Sequence, residues 1–310
     1  MAESFHARHG GEALIRHALH GAFSHSVGEG THPARRVRRG AFAVTEARSI
    51  LMTPQHAREL ARARALLAST SLASRISDYA AGPVQSALKQ APPSVKKGVD
   101  RAIERAILAC LKLAIRSLKS VPSRRPQMRL ASTWAGVAGG FAGAFGVAAV
   151  PLELPLTTIL MLRAIAEIAR HHGEDLDQME ARLACVEVFA YGAEKRADVG
   201  YYASRAMLGR LASEAASLLA HRGATSASAP AVAALTQEIA SRFGVVVYEK
   251  IAASAVPLAS AASAAAINVA FMNHFQKIAR GHFMLRRLER IYGPERVREE
   301  FARLEAAAEG

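Results

Sequence analysis

His274 and His282 stand eight residues apart, close to one face of a helix. With a carboxylate such as Glu153 or Glu249 they could ligate a metal ion, since imidazole nitrogens and carboxylate oxygens are the usual donors of a catalytic zinc. The surrounding pattern does not develop that idea. There is no HExxH, no pair of His at four-residue spacing and no CxxC. The only cysteines, Cys110 and Cys185, fall at apolar positions of helical patterns and read as reduced, buried thiols. No metal or other cofactor is therefore expected. His274 reads better as a group that, with Gln276 and Arg280, caps or hydrogen-bonds a helix break near Gly281. Glu174-Asp175-x-Asp177 could hold a divalent cation, but a charge cluster at a helix start explains it more cheaply. GxSxG, a phosphate-cradling Gly loop and a Ser–His–Asp arrangement are all missing. A hydrolase acting on lipid or peptide through His274, His282 and a carboxylate is the enzymatic alternative.

A second set of residues could do electrostatic work. Arg163, Glu167, Arg242, Glu249, Arg286, Arg287 and Glu289 are too many charges for so apolar a chain to leave unpaired. They are expected to form a partly buried ion-pair network that fixes helix register, or to grip a lipid phosphate through Arg. Arg163 and Glu167, one turn apart, can pair. The net charge of +14 is also uneven, for residues 1–130 hold 22 Lys and Arg against 8 Asp and Glu, and the remainder is balanced. Such asymmetry asks for an anionic partner. The candidate anion- or lipid-binding residues are Arg35, Arg36, Arg38 and Arg39, then Lys96, Lys97, Arg101, Arg105, Lys112, Arg116 and Lys119, then Arg124 and Arg125. No aromatics interleave with these charges and no nucleic-acid-binding motif is present, which ranks nucleic acid last. An anionic membrane surface ranks first, with a membrane-protein partner in reach. The expected place is the cytoplasm, peripheral to the inner face of the cell membrane. The N-terminus has no apolar core of a secretory signal.

The elements that must carry these residues are helical. The chain is 51% hydrophobic but only 6% aromatic, with a mean hydropathy of +0.10, and the excess is Ala, the best helix former. Residues 1–52 show no sustained periodicity and read as a basic, His-rich, disordered tail. Residues 53–310 read as one helical domain. Thr53 and Pro54 form a helix start, and that helix is expected to run to about Ala81. From 94 to 120, Val99, Ile103, Ala106, Ile107, Cys110, Leu111, Ala114 and Leu118 recur at three- and four-residue steps, opposite the basic positions. This is either a headgroup-plane helix or a bundle helix with a solvated basic face. The run Pro151–Pro155 reads as a bend before a helix over 156–172 closed by Gly173. Asp177-x-x-Glu180 starts a helix to about Tyr191, and residues 201–221 form another. Phe243, Phe271, Phe275 and Phe283 read as core.

Two stretches are unusually apolar and small. Between Lys250 and Lys277 there is no charged residue, and residues 130–152 carry Ser132, Gly136, Gly140, Ala144 and Ala148 at four-residue steps. They are long enough to span a bilayer but only marginally apolar. The expected fold is an all-α multi-helix bundle around these two Ala/Gly/Ser-rich helices, which pack as a hairpin inside the protein or insert in a membrane.

A resemblance completes the reading. Pro155-Leu156-Thr157-Thr158, Leu162-Arg163-Ala164-Ile165-Ala166, Gly200-Tyr201-Tyr202-Ala203-Ser204-Arg205 and Ala240-Ser241-Arg242-Phe243-Gly244 occur in order. They are followed by Phe271-Met272-Asn273-His274-Phe275-Gln276 and Ala279-Arg280-Gly281-His282-Phe283. Together these words resemble the EcsC family of bacterial proteins over roughly residues 60 to 303. The resemblance implies a helical protein, in some members encoded beside an ABC transporter, and implies no particular reaction. The chain departs from the family pattern at Asn273, where an acidic residue is expected, and at Ser260, Ala261 and Ser263, where Gly is expected.

Overall fold

Gly281 sits where two helices nearly touch, and the way the chain is packed around it sets much of the architecture. The computed structural model describes residues 52–68, 72, 93–118, 150–192, 200–254 and 261–309. In chain order the helices are α1 (Pro54–Leu67), α2 (Pro93–Ser117), α3 (Val150–His171), α4 (Met179–Tyr191), α5 (Tyr201–Arg222), α6 (Ala229–Ser254), α7 (Ala261–Tyr292) and α8 (Pro294–Glu309). No strand occurs among the described residues, and the all-α bundle is as the sequence implies.

α1 starts as its sequence dictates. The Thr53 hydroxyl accepts from the His56 amide at 3.2 Å, and Pro54 occupies the first helical position, where its missing N–H costs nothing. It ends at Leu67 rather than near Ala81, with the Ala68 amide bonded to the Arg64 carbonyl. α7 then runs 32 residues without interruption through Gly281, so the expected break is absent. A Cβ at Gly281 would lie 2.8 Å from Leu67 Cγ and 3.0 Å from the Ala63 carbonyl oxygen. The glycine is there because α1 crosses directly over α7. Tyr292, at the end of α7, fixes the crossing by bonding the Thr53 amide and, at 2.7 Å, His56 Nδ1.

The Pro-rich segment is helix, not bend: α3 begins at Val150 and carries Pro155 inside it. Pro151 falls in the first turn, where no amide bond is lost. Next to Pro155, the Thr157 and Thr158 hydroxyls donate to the carbonyls of Glu153 and Leu154, at 3.0 and 2.6 Å. At the other end Gly173, with φ 81°, makes a Schellman closure in which the Glu174 amide reaches the Ala169 carbonyl at 3.0 Å. α4 is capped at Gln178 rather than Asp177, and the Asp177 amide instead bonds the Asp175 carboxylate at 2.9 Å in an Asx turn.

The element with no outer face is α4. Every residue from Ala181 to Tyr191 is buried, including Arg182 and Glu187. A helix apolar on all sides belongs in the interior, and α2, α3, α5, α6 and α7 all pack against it. Phe189 of α4, Phe243 of α6 and Phe271 and Phe275 of α7 interlock with centroids 5.2 to 6.0 Å apart, so these aromatics are core as expected. Of the two small-residue stretches, residues 130–149 and 255–260 lie outside the described residues. The rest forms the first turn of α3, the end of α6 and the first half of α7. Among the described residues no helix is long and apolar enough to cross a membrane.

A basic outer face and a buried polar centre

α2 is strongly two-sided. The eight residues expected to form its apolar face are all buried. Its exposed side carries Lys97, Arg101, Arg105, Lys112 and Arg116. These positions follow one another at steps of four and, across Leu108, seven residues, and Leu108 is 37% exposed. Two carboxylates interrupt this side: exposed Glu104, and Asp100, which accepts a 2.6 Å hydrogen bond from the Tyr248 hydroxyl of α6. Lys96 is half-buried, and Tyr248 also donates to its carbonyl. The helix is thus held along α6 with its basic row left outward. Arg35, Arg36, Arg38, Arg39, Lys119, Arg124 and Arg125 lie outside the described residues.

The far end of α2 depends on a residue that the sequence reading passed over. Arg182 of α4 is 4% exposed, and its Nη1 donates to the carbonyls of Ala114 and Ile115 at 3.2 and 2.7 Å. These are among the last carbonyls of a helix, which have no partner within it. Arg182 therefore caps α2 from inside the core.

Around α4, α5 and α7 the interior holds a polar cluster. The Tyr191 hydroxyl donates to Glu187 Oε2 at 2.7 Å, and the Tyr201 hydroxyl shares a 2.7 Å bond with His282 Nδ1. The Tyr191 and His282 rings are 5.0 Å apart and tilted by 32°. Burial pushes the Glu187 carboxyl above its ordinary range, against the opposing hydrogen bond from Tyr191. Burial, with the nearby charges of Arg205 and Arg286, drives His282 well below the usual imidazole range and keeps it neutral. Its Nε2 is buried without a hydrogen-bond partner. The cluster thus links two tyrosines, a histidine and a carboxyl by hydrogen bonds, with the charges of Arg205 and Arg286 close by. Only the local words around Tyr191, Tyr201 and His282 were available in the sequence; the 81-residue separation of Tyr201 and His282 hid their pairing.

The candidate metal ligands are each engaged elsewhere. His274 Nε2 donates to the Gly192 carbonyl at 3.0 Å, and Glu153 pairs with Lys250 at 3.0 Å. Lys250 also lies 5.0 Å from the Phe271 centroid. Glu249 is half-buried on the neighbouring position. Among the described residues no group of three His, Cys, Asp or Glu is placed to hold a metal ion.

The charge network exists, with partners that differ from those expected. Arg286 makes a bidentate pair with Glu174, both bonds at 2.9 Å, and Arg290 also bonds Glu174. Burial alone would raise the Glu174 carboxyl, but these two guanidiniums outweigh it and hold it below the ordinary range. Glu289 takes a bidentate pair from Arg205 at 2.5 and 2.6 Å. Arg287 pairs with Glu59 of α1 at 3.3 Å, and Arg242 bonds Glu238 at 2.8 Å and Ser204 at 3.0 Å. Arg163 is exposed, and no ion pair joins it to Glu167. Glu59, Glu174, Arg205, Glu238 and Arg290 are members that the expected network did not include. Glu238 is one turn from Arg242 on α6, whereas Glu174, in the turn after α3, and the others meet their partners through tertiary packing.

The described residues form eight helices, five of which pack against the buried α4, and Arg–Glu pairs cross-link them into an all-α bundle. The chain belongs to the EcsC protein family, whose sequence pattern matches residues 55–288. Comparison with curated proteins and with solved structures finds no match.

Proposed function

We propose that the protein is a helical accessory protein that binds an anionic lipid surface peripherally, through the outer face of α2. The observation that carries this reading is the row Lys97, Arg101, Arg105, Lys112 and Arg116, exposed along one side with Leu108 among it. A cationic helix face with an apolar side chain in its midst suits the boundary between headgroups and acyl chains. Each Lys or Arg near an anionic bilayer contributes about 1 kcal/mol, so five acting together supply about 5 kcal/mol, nearly four powers of ten in affinity. Arg35–Arg39, Lys119, Arg124 and Arg125 would add to the same attraction. Binding of this kind places the protein at the inner face of the cell membrane, where it could also meet a membrane-protein partner.

Vesicle co-sedimentation tests the reading. The protein should bind vesicles rich in phosphatidylglycerol and leave pure phosphatidylcholine vesicles unbound. Binding should weaken steeply as salt rises, because screening shortens the reach of the field. A variant with Lys97, Arg101, Arg105, Lys112 and Arg116 changed to Gln should lose at least a hundredfold in affinity. Undiminished binding by that variant would sink the role given to α2.

A further inference from the structure

A second cationic region lies on different helices. On α7, Gln276, Arg280 and Arg287 follow at steps of four and seven, which puts them on one side of the helix, with Arg280 and Arg287 about 10 Å apart along its axis. The α1 crossing at Gly281 brings Ala63, and so its neighbour Arg62, beside this side of α7. The end of α3 reaches the same region, for Arg290 Nη2 donates to the His172 carbonyl at 2.6 Å. The His171 and His172 rings are 5.4 Å apart. The neighbouring carboxylates are already used: Glu59 by Arg287, and Glu174 by Arg286 and Arg290.

Two further observations bear on what this region is for. Burial, together with the charges of His171, Arg287, Arg290 and Arg280, lowers His172 to about 4, so the cations converge on that imidazole. Arg280 is likewise held below its usual range, by burial and by Arg62. Gln276 is only 1% exposed, yet neither atom of its side-chain amide has a hydrogen-bond partner. A buried amide without partners is unfavourable, so a polar group that bonds it is favoured there. A dense group of guanidiniums beside a neutral imidazole and an unused amide donor is chemistry that fits an oxyanion of high charge. Guanidinium forks match the oxygens of a phosphate two at a time.

We infer that the side of α7 carrying Gln276, Arg280 and Arg287, flanked by Arg62 of α1 and His172 and Arg290 near the end of α3, binds a phosphate-bearing anion. Arg62 and Arg287 supply outer contacts, Arg280 an inner one, and the Gln276 amide receives a polar group deeper in. The phosphate could be free or the headgroup of a lipid, and the same side chains serve both. The inference is independent of α2, because none of these residues lies on that helix.

The test is calorimetric titration of the full chain with inorganic phosphate and with glycerol 3-phosphate. Alongside it, the chain carrying the five α2 substitutions is sedimented with phosphatidic acid vesicles, so that α2 cannot supply the binding. Saturation at one equivalent by either soluble probe supports the site and points to a free phosphate compound. Saturable vesicle binding without soluble binding supports it and points to a lipid headgroup. In either case Arg287→Gln and Arg280→Gln should each weaken binding at least tenfold, and Arg62→Gln at least threefold. Arg62 is exposed, so Arg62→Gln keeps the test valid if Arg280→Gln fails to fold. No saturation by any probe, or wild-type affinity in both Arg62→Gln and Arg287→Gln, would overturn the inference.

Discussion

Substituting alanine for glycine should have opposite signs at two helical positions of this protein. Gly281 lies inside α7 and Gly209 inside α5. In both, alanine gains about 0.8–1.0 kcal/mol of helix propensity, because it restricts the unfolded chain more than glycine does. At Gly209 no atom lies within 4 Å of the new Cβ, so that gain is the whole effect. At Gly281 the Cβ would meet Leu67 Cγ at 2.8 Å and the Ala63 carbonyl oxygen at 3.0 Å. Leu67 can rotate away, but the carbonyl moves only if α1 moves. Overpacking of this kind costs about 1–3 kcal/mol, and separating α1 from α7 also strains the bonds of Tyr292 to Thr53 and His56. Gly209→Ala should therefore stabilise by about 1 kcal/mol, while Gly281→Ala should destabilise by about 1–2 kcal/mol. Urea unfolding followed by circular dichroism resolves such a gap, provided both variants keep the wild-type slope. Equal stability of the two variants would refute the argument that Gly281 exists to admit α1.

Other perturbations have defined outcomes. Glu187 has its carboxyl raised by burial, so the folded state holds a proton that the unfolded chain releases, and stability should fall as pH rises above the ordinary carboxylate range. Glu187→Gln cannot ionise, so it should remove that slope and exceed the wild type in stability at the alkaline end of a thermal melt series. Arg182→Met strips the cap from the Ala114 and Ile115 carbonyls and should cost about 2–3 kcal/mol. Hydrogen exchange should show the loss in the last turn of α2 first, and uniform loss across the molecule would argue against a capping role.

Much of the fold was legible because it rests on short-range chemistry. The buried face of α2, the Thr53–Pro54 start and the Gly173 closure each follow from residues within one or two turns. Misreadings arose where a local signal met a distant partner. Gly281 looks like a helix break until α1 is placed over it. Pro151 and Pro155 look like a bend, whereas both are taken up near the start of α3, Pro151 in its first turn. Nothing local could show that Arg286 would choose Glu174, 112 residues away, over the nearer Glu289. The buried cluster was visible only as unconnected words, since Tyr201 and His282 meet through the packing of α5 on α7.

The complete enclosure of α4 has a consequence for how the protein is made. A helix with no solvated side is a poor thing to expose, and its covers come from both directions along the chain. α2 and α3 precede it, but α5, α6 and α7 follow. Translation proceeds at about 5–20 residues per second. The roughly one hundred residues from the end of α4 to the end of α7 therefore leave the ribosome over about 5–20 s after α4 itself has emerged. Throughout that interval Val186, Val188 and Phe189 lack the covers that α5, α6 and α7 supply. Transiently exposed apolar surface of this kind is what makes partly folded chains prone to aggregate.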